Sequence, residues 1–258
     1  MVMRKAIEFG RIVSVVLLMD MRTRFGSSYL SYLIAIGWPL SHLLIIIGSY
    51  LIKTAVAPIG DSPAIFVGTG VIPYILCIYP ARLSGMAVSQ GRGLLGLPIL
   101  KPIHLIVARW IQEVLNAVLV LSIFLLGLYL ADIDFLPLDT LMAAQAVFAA
   151  IYLGIGLGVL VAVLTAVVGH YFAIAFTLFM VVLYIFSGAY IPYTSLPSEM
   201  QEIIVYNPMF NIVEWLRSAY YTVDNTEVIS KTFVLEIASV SLALGLLGER
   251  YLRGKFLV

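Results

Sequence analysis

LMAAQAVFAAIYLGIGLGVLVAVLTAV, residues 141–167, runs for 27 positions without an Asp, Glu, Lys or Arg. A bilayer's hydrocarbon core is about 30 Å thick and takes about 20 helical residues. This stretch therefore reads as a transmembrane helix. Barrel strands would be about 10 residues long with alternating polarity, and that alternation is absent. Working outward, similar apolar runs fall at about 29–53, 63–84, 106–130, 172–191 and 232–250. The fold class expected is an all-α integral membrane protein with six transmembrane helices in one domain, residues 1–258. Composition agrees: 62% of residues are hydrophobic and 11% charged, and mean hydropathy is +1.06. A soluble domain is about 45–50% apolar and about 25% charged, so one soluble core cannot hide this excess.

The segments between spans set the topology. Residues 1–25 carry Arg4, Lys5, Arg11, Arg22 and Arg24 around an apolar stripe of Ile7, Val15 and Leu18. They read as an amphipathic helix lying at a membrane interface. A Gly/Pro loop, Gln90 to Pro102, carries Arg92 and Lys101, and the chain ends with Arg250, Arg253 and Lys255. With both termini inside, twelve of the fifteen Lys and Arg lie on or beside the cytoplasmic side, the exceptions being Lys53, Arg217 and Lys231. The positive-inside rule counts such residues near span ends, and an even number of spans lets both ends share a side. The loop with Asp132, Asp134 and Asp139 and the stretch 192–230 then fall outside. Tyr29, Tyr32, Trp110, Tyr129, Tyr190 and Tyr193 recur near span edges, as interface anchors do.

Several chemistries find little support. Net charge is +1, which argues against a nucleic-acid partner. Gly91-Arg92-Gly93-Leu94-Leu95-Gly96 matches GxGxxG formally, but a dinucleotide site needs a preceding strand and a following helix, and membrane spans flank it here. No GxxxxGK[ST] occurs, so any ATP hydrolysis belongs to another chain. Cys77 is the one cysteine and reads as apolar filler. His42, His104 and His170 lie in different segments without metal-ligand spacing, and no metal site is expected. His42 lies inside the first span, where an ionisable group faces protein or a water-filled path. Arg109 and Glu113 stand four apart and suit a helical ion pair. The aspartate loop reads as polar surface, not as paired catalytic carboxylates.

Two candidate sites remain. Tyr32, Trp38, Ser41, Tyr50, Tyr184 and Tyr190 place hydroxyls and polar-tipped rings in the first and fifth spans. A sugar offers flat C–H faces beside hydroxyls, and such rings suit both. These six are the candidate glycan path, with interface anchoring as the competing reading. In 192–230, Ser198-Glu199-Met200-Gln201-Glu202 reads as a helix start. Asn207-Pro208 breaks the chain, and Glu214 and Arg217 follow at i,i+3. Two short helices dipping into the outer interface would form a lid, with Asn207, Pro208, Glu214 and Arg217 as its gate-like residues. Gly154, Gly156 and Gly158 read as a small-residue face for close helix packing.

Met21-Arg22-Thr23-Arg24-Phe25-Gly26, followed by Trp38-Pro39-Leu40 and His42-Leu43-Leu44, resembles the start of ABC-2 type permeases, especially those that export group 2 capsular polysaccharides. Gly93-Leu94-Leu95 with Lys101-Pro102-Ile103 resembles their first inner loop. Tyr206-Asn207-Pro208-Met209-Phe210-Asn211, running on to Glu214 and Arg217, resembles their re-entrant segment before the last span. The similarity extends from about residue 20 to 250. It implies a non-enzymatic permease in a bacterial inner membrane with both termini cytoplasmic. It also implies a homodimer joined to two ATP-binding subunits, which hold the ATP and Mg, this chain holding no cofactor. Periplasmic and outer-membrane export proteins would be further partners, and a lipid-linked polysaccharide the cargo. Arg22, Arg24, Arg92 and Lys101 would meet the ATPase or the phosphate of a lipid-linked glycan. Exporters of O-antigen, teichoic acid, lipid or drugs share the superfamily, and a membrane-embedded glycan- or lipid-modifying enzyme is the alternative from another class. Relatives of the capsule type often have Glu before the first span's proline, where this chain has Trp38.

Overall fold

The computed structural model describes residues 2–25, 29–53, 56–222 and 227–256; of the side chains of 2, 24, 25, 29–32, 255 and 256 nothing is described, so Arg24 and Tyr32 lie outside the described set. The described residues form helices and 3₁₀ turns with no strand. In chain order these are α1 (Val2–Phe25), α2 (Tyr29–Lys53), α3 (Pro63–Gly85), α4 (Ala87–Gln90), α5 (Pro102–Leu130), α6 (Thr140–Val168), α7 (His170–Ile185), α8 (Ser198–Ile204), α9 (Pro208–Tyr220) and α10 (Lys231–Leu252). Local chemistry sets several starts. Proline stands at the first turn of α3, α5 and α9, where its missing N–H costs nothing. Asp139 caps α6 by accepting from the Met142 N–H at 2.9 Å, and Asn207 caps α9 by accepting from the Met209 N–H at 2.9 Å.

Five described helices are long and apolar enough to cross a bilayer: Leu33–Lys53, Pro63–Gln90, Pro102–Leu130, Thr140–Val168 and Lys231–Leu252. The expected span 172–191 differs. Its helix, α7, has 16 residues and stops at Ile185, which gives about 24 Å at 1.5 Å per residue. The chain then turns through Gly188, whose φ of +75° suits a residue without a side chain.

α3 is the hub. It packs against α2, α5, α6, α7 and α9, and it is the most buried of the spanning helices. α6 lies between α3 and α10. Its glycines serve two faces rather than the one expected. Gly154 and Gly158 back onto α3, where a Cβ on Gly154 would lie 2.6 Å from the Cys77 carbonyl oxygen. Gly156 points the other way, and its Cβ would overlap the Ala238 carbonyl oxygen on α10. Without a hydrophobic force between helices in lipid, such close backbone approach supplies much of the packing energy.

At the end of the bundle that carries α1, the Gln90–Pro102 loop and the chain's C-terminal segment, a second apolar cluster seals the helices. Val13 and Val16 of α1 meet Val88, Leu105 and Ile106 there. The stripe read from the sequence is not the face that packs on the bundle, as suits a helix that lies at an interface. Ile7, Val15 and Leu18 are about 60% exposed, whereas Val13 and Val16 are buried. At 100° per residue these sets fall on opposite sides of the helix. The exposed set shares its side with Arg4, Arg11 and Arg22, the arrangement of a helix that touches headgroups. Arg109 of α5 fastens α1: its guanidinium is 2.6 Å from Asp20 Oδ1 and donates to Gln90 Oε1 at 3.0 Å.

Candidate functional site

A half-open cleft of about 610 Å3 lies between α2, α3 and α7. Each helix contributes one face at helical spacing: Trp38, Ser41, His42 and Ile45 from α2; Tyr74, Ile78 and Arg82 from α3, with Tyr79 beside them; Thr177, Val181, Tyr184 and Ile185 from α7. Tyr190, past the end of α7, completes the lining. The aromatic rings are organised around Tyr184. Tyr74 stacks on it with centroids 3.9 Å apart and planes at 12°. His42 meets it edge-on at 5.7 Å, and Tyr190 leans on it at 5.3 Å. Trp38 stands at the rim, 69% exposed.

α7 ends at Ile185, so the Leu183 carbonyl in its last turn and those of the strap 186–190 need partners from elsewhere. Backbone that is not helical survives at membrane depth only when protein satisfies it. Here side chains do so. Asn207 Nδ2 donates to the Leu183 and Phe186 carbonyls at 2.7 and 2.8 Å. Arg217 donates to the Gly188 carbonyl at 2.6 Å and the Ala189 carbonyl at 3.0 Å. The Tyr50 hydroxyl donates to the Tyr190 carbonyl. Five carbonyls are thus held from α2 and the α9 region, and this is why α7 ends early.

Arg217 is wholly buried. Its charge is balanced by Glu214 Oε1 at 3.0 Å, and its guanidinium lies over the Phe66 ring at 4.3 Å, a cation–π contact. Burial draws its pKa down from the ordinary arginine value, and Glu214 pushes it back up. The segment expected as a lid packs into the bundle through its second helix. Most of α9, from Met209 to Arg217, is buried against α3, α6, α7 and α10. Asn211 adds two ties, donating to the Val205 carbonyl at 2.7 Å and accepting from the Ser230 N–H at 2.7 Å. Pro208 opens α9.

Of the expected path residues, the structure brings Trp38, Ser41, Tyr184 and Tyr190 into one cleft, and Tyr50 reaches it through the strap. Tyr74, Tyr79 and Arg82 escaped the sequence reading. Arg82 carried a signal, since it is a charge inside the predicted span 63–84, and such residues mark function by default. Of the expected basic docking residues, Arg22, Arg92 and Lys101 are exposed. Arg22 lies on α1, Arg92 donates to the Ala166 carbonyl at 3.1 Å, and Lys101 precedes α5, its N–H donating to His104 Nδ1 at 3.1 Å. The aspartate loop serves its own backbone: Asp134 accepts from the Leu136 N–H at 3.2 Å, and Asp139 is a helix cap.

Fold and cleft define an all-α integral membrane protein with an aromatic-lined, half-open groove among its spanning helices. No protein-family profile matches the chain. Two curated proteins do, each a "Polysialic acid transport protein KpsM" of Escherichia coli, 28% identical over 244 residues that cover 91% of this chain and 90% of the relative. The resemblance to capsule-export permeases carried by the Arg22-Thr23-Arg24 and Asn207-Pro208 motifs is the likeness that this comparison finds.

Proposed function

We propose that this chain is the membrane permease subunit of an ABC-2 type exporter that moves a lipid-linked capsular polysaccharide across a bacterial inner membrane. It is a transport subunit, not an enzyme. One observation carries the reading: the cleft is lined by stacked tyrosines, a histidine and a rim tryptophan, in a chain similar along nine-tenths of its length to polysialic acid transport proteins. Stacked rings bind the C–H faces of sugars while hydroxyls take their polar edges. A surface of this kind grips every unit of a repeating polymer weakly, as a path must.

The energy comes from a partner. Two ATP-binding subunits, carrying ATP and Mg, dock on the end of the bundle that holds α1, Arg92 and Lys101, which is the cytoplasmic end. With α7 counted as a crossing, six spans return the chain to that side. The cleft is half-open with Trp38 exposed at its rim. A second copy across a two-fold axis, the commonest closed arrangement, would complete the wall. ATP-driven closure of the partner subunits then shifts the dimer between closed and open paths.

The test is deletion of the gene in its own host, followed by chemical analysis of polymer inside and on the surface. Accumulated intracellular capsular polymer, cleared by the wild-type chain but not by Tyr184→Ala, is the expected result. Normal surface polymer after deletion would sink the proposal. Accumulation of an O-antigen or a teichoic acid would reassign the cargo within the superfamily.

A further inference from the structure

Among the described residues Arg82 is the one permanently charged residue lining the cleft, with no Asp or Glu beside it there. It belongs to α3, the most buried spanning helix. Ile78, Pro80, Ala81, Ser84 and Gly85 around it are buried, while Arg82 itself is partly exposed. An arginine on a lipid-facing helix snorkels to headgroups; this one, on the hub, opens into the cleft. Among the described residues it makes no ion pair. Its neighbours on the same wall are aromatic: Tyr79 beside it, and Tyr74 two turns away, about 12 Å along the axis.

A charge held in such a place is costly unless something pairs with it. Arg109 and Arg217, both buried, pair with Asp20 and Glu214. Arg82 has no such partner among the described residues, and the cleft beside it is large enough to admit one from outside. The site offers a planar fork of donors at the end nearer α1, then an apolar and aromatic wall leading toward Tyr190. That sequence of surfaces fits a carbohydrate chain bearing a carboxylate or phosphate, whose charged group meets Arg82 while uncharged sugar rings lie on the accessible Tyr79 and Trp38, the buried Tyr74–Tyr184 stack backing the wall. Guanidinium recognises both oxyanions in two-point fashion.

Building on the export reading above, we infer that Arg82 is a specificity-determining residue of the cleft, which selects an anionic saccharide or its anionic anchor over a neutral one. Two sources supply the same chemistry: carboxylates of acidic sugars along the polymer, or the phosphodiester of a lipid anchor.

Calorimetric titration of the full chain in phosphatidylcholine nanodiscs tests this, with empty discs subtracted. Three probes are used: a sialic acid oligomer, the same oligomer with its carboxylates reduced to alcohols, and water-soluble dihexanoyl phosphatidylglycerol. The wild type should bind at least one anionic probe about tenfold or more tighter than the reduced oligomer. Arg82→Gln should lose that preference while still binding the reduced oligomer as the wild type does, and Arg82→Lys should keep part of it. A preference shown only by the oligomer assigns the sugar carboxylate, and one shown only by phosphatidylglycerol assigns the phosphodiester. Absence in the wild type of a preference for either anionic probe over the reduced oligomer, or an unchanged preference in Arg82→Gln, overturns the inference and leaves the export reading standing. Absence of any oligosaccharide binding, with Tyr184→Ala indistinguishable from wild type, removes both.

Discussion

Arg217 donates to the Gly188 carbonyl across 2.6 Å, which joins the last turn of α9 to the turn that closes α7. The same guanidinium holds Ala189 and Glu214. This side chain therefore does two jobs: it balances a buried acid, and it satisfies backbone that the helix has abandoned. Removing one partner of a buried pair leaves an uncompensated charge and costs about 3–5 kcal/mol. Arg217→Met should lower the midpoint of thermal unfolding in detergent markedly. Arg217→Met with Glu214→Gln should recover part of that loss, because the orphaned charge is gone while the strap carbonyls stay unpaired. A single variant as stable as the wild type would show that the clamp is not structural.

Tyr184 gathers Tyr74, His42 and Tyr190 around one ring. Aromatic pairs of this kind contribute about 0.5–1.5 kcal/mol beyond buried area. Tyr184 is buried, so Tyr184→Ala should lower membrane abundance as well as surface polymer, and export is read per unit of inserted protein, where a several-fold loss is expected. Tyr184→Phe keeps the stack and should retain most export. Equal loss in both would assign the effect to the hydroxyl; no loss in either would remove Tyr184 from the path. Immunoblots of membranes and quantification of capsule provide the readout.

The spans were legible because a lipid solvent leaves a compositional mark that needs no tertiary knowledge. Residues 29–53 and 141–167 lie within a residue of their helices. The end of α7 was not legible. Nothing local forbids helix through Phe186 and Ser187; the stop depends on Asn207 and Arg217, 20 and more residues away. For the same reason α9 looked amphipathic yet is buried on most sides, since neighbours and not its own pattern decide what covers its polar face. Half the cleft was readable because α2 and α7 hold hydroxylated aromatics in apolar runs. Tyr74 and Tyr79 of α3 sit among equally apolar residues, and only the three-helix arrangement selects the face that opens.

Gly156 tests the packing of α6 on α10. A Cβ there would overlap the Ala238 carbonyl oxygen, which is backbone and cannot swing aside. Overpacking of this kind costs about 1–3 kcal/mol. Gly156→Ala should lower thermal stability in detergent by an amount of that order. Gly127→Ala is the control, since nothing lies within 4 Å of its added carbon, and alanine is the better helix former. A Gly156→Ala protein with an unshifted midpoint would mean that the two helices are free to separate.

Trp38 and Trp215 separate path from scaffold. Trp38 is 69% exposed at the cleft rim, whereas Trp215 is 4% exposed with the Lys231 ammonium 4.9 Å from its ring. Burial decides what each substitution removes. Truncating a buried tryptophan costs about 3–5 kcal/mol, so Trp215→Ala should lower both membrane abundance and unfolding midpoint. Trp38 gives up little packing when truncated, so Trp38→Ala should leave abundance and midpoint near the wild type while cutting surface polymer. Trp38→Phe should restore a share of export if stacking on sugar rings is what the residue does. Full export by Trp38→Ala would instead leave membrane anchoring as the residue's only role, and the rim of the cleft would then need another contact for the polymer.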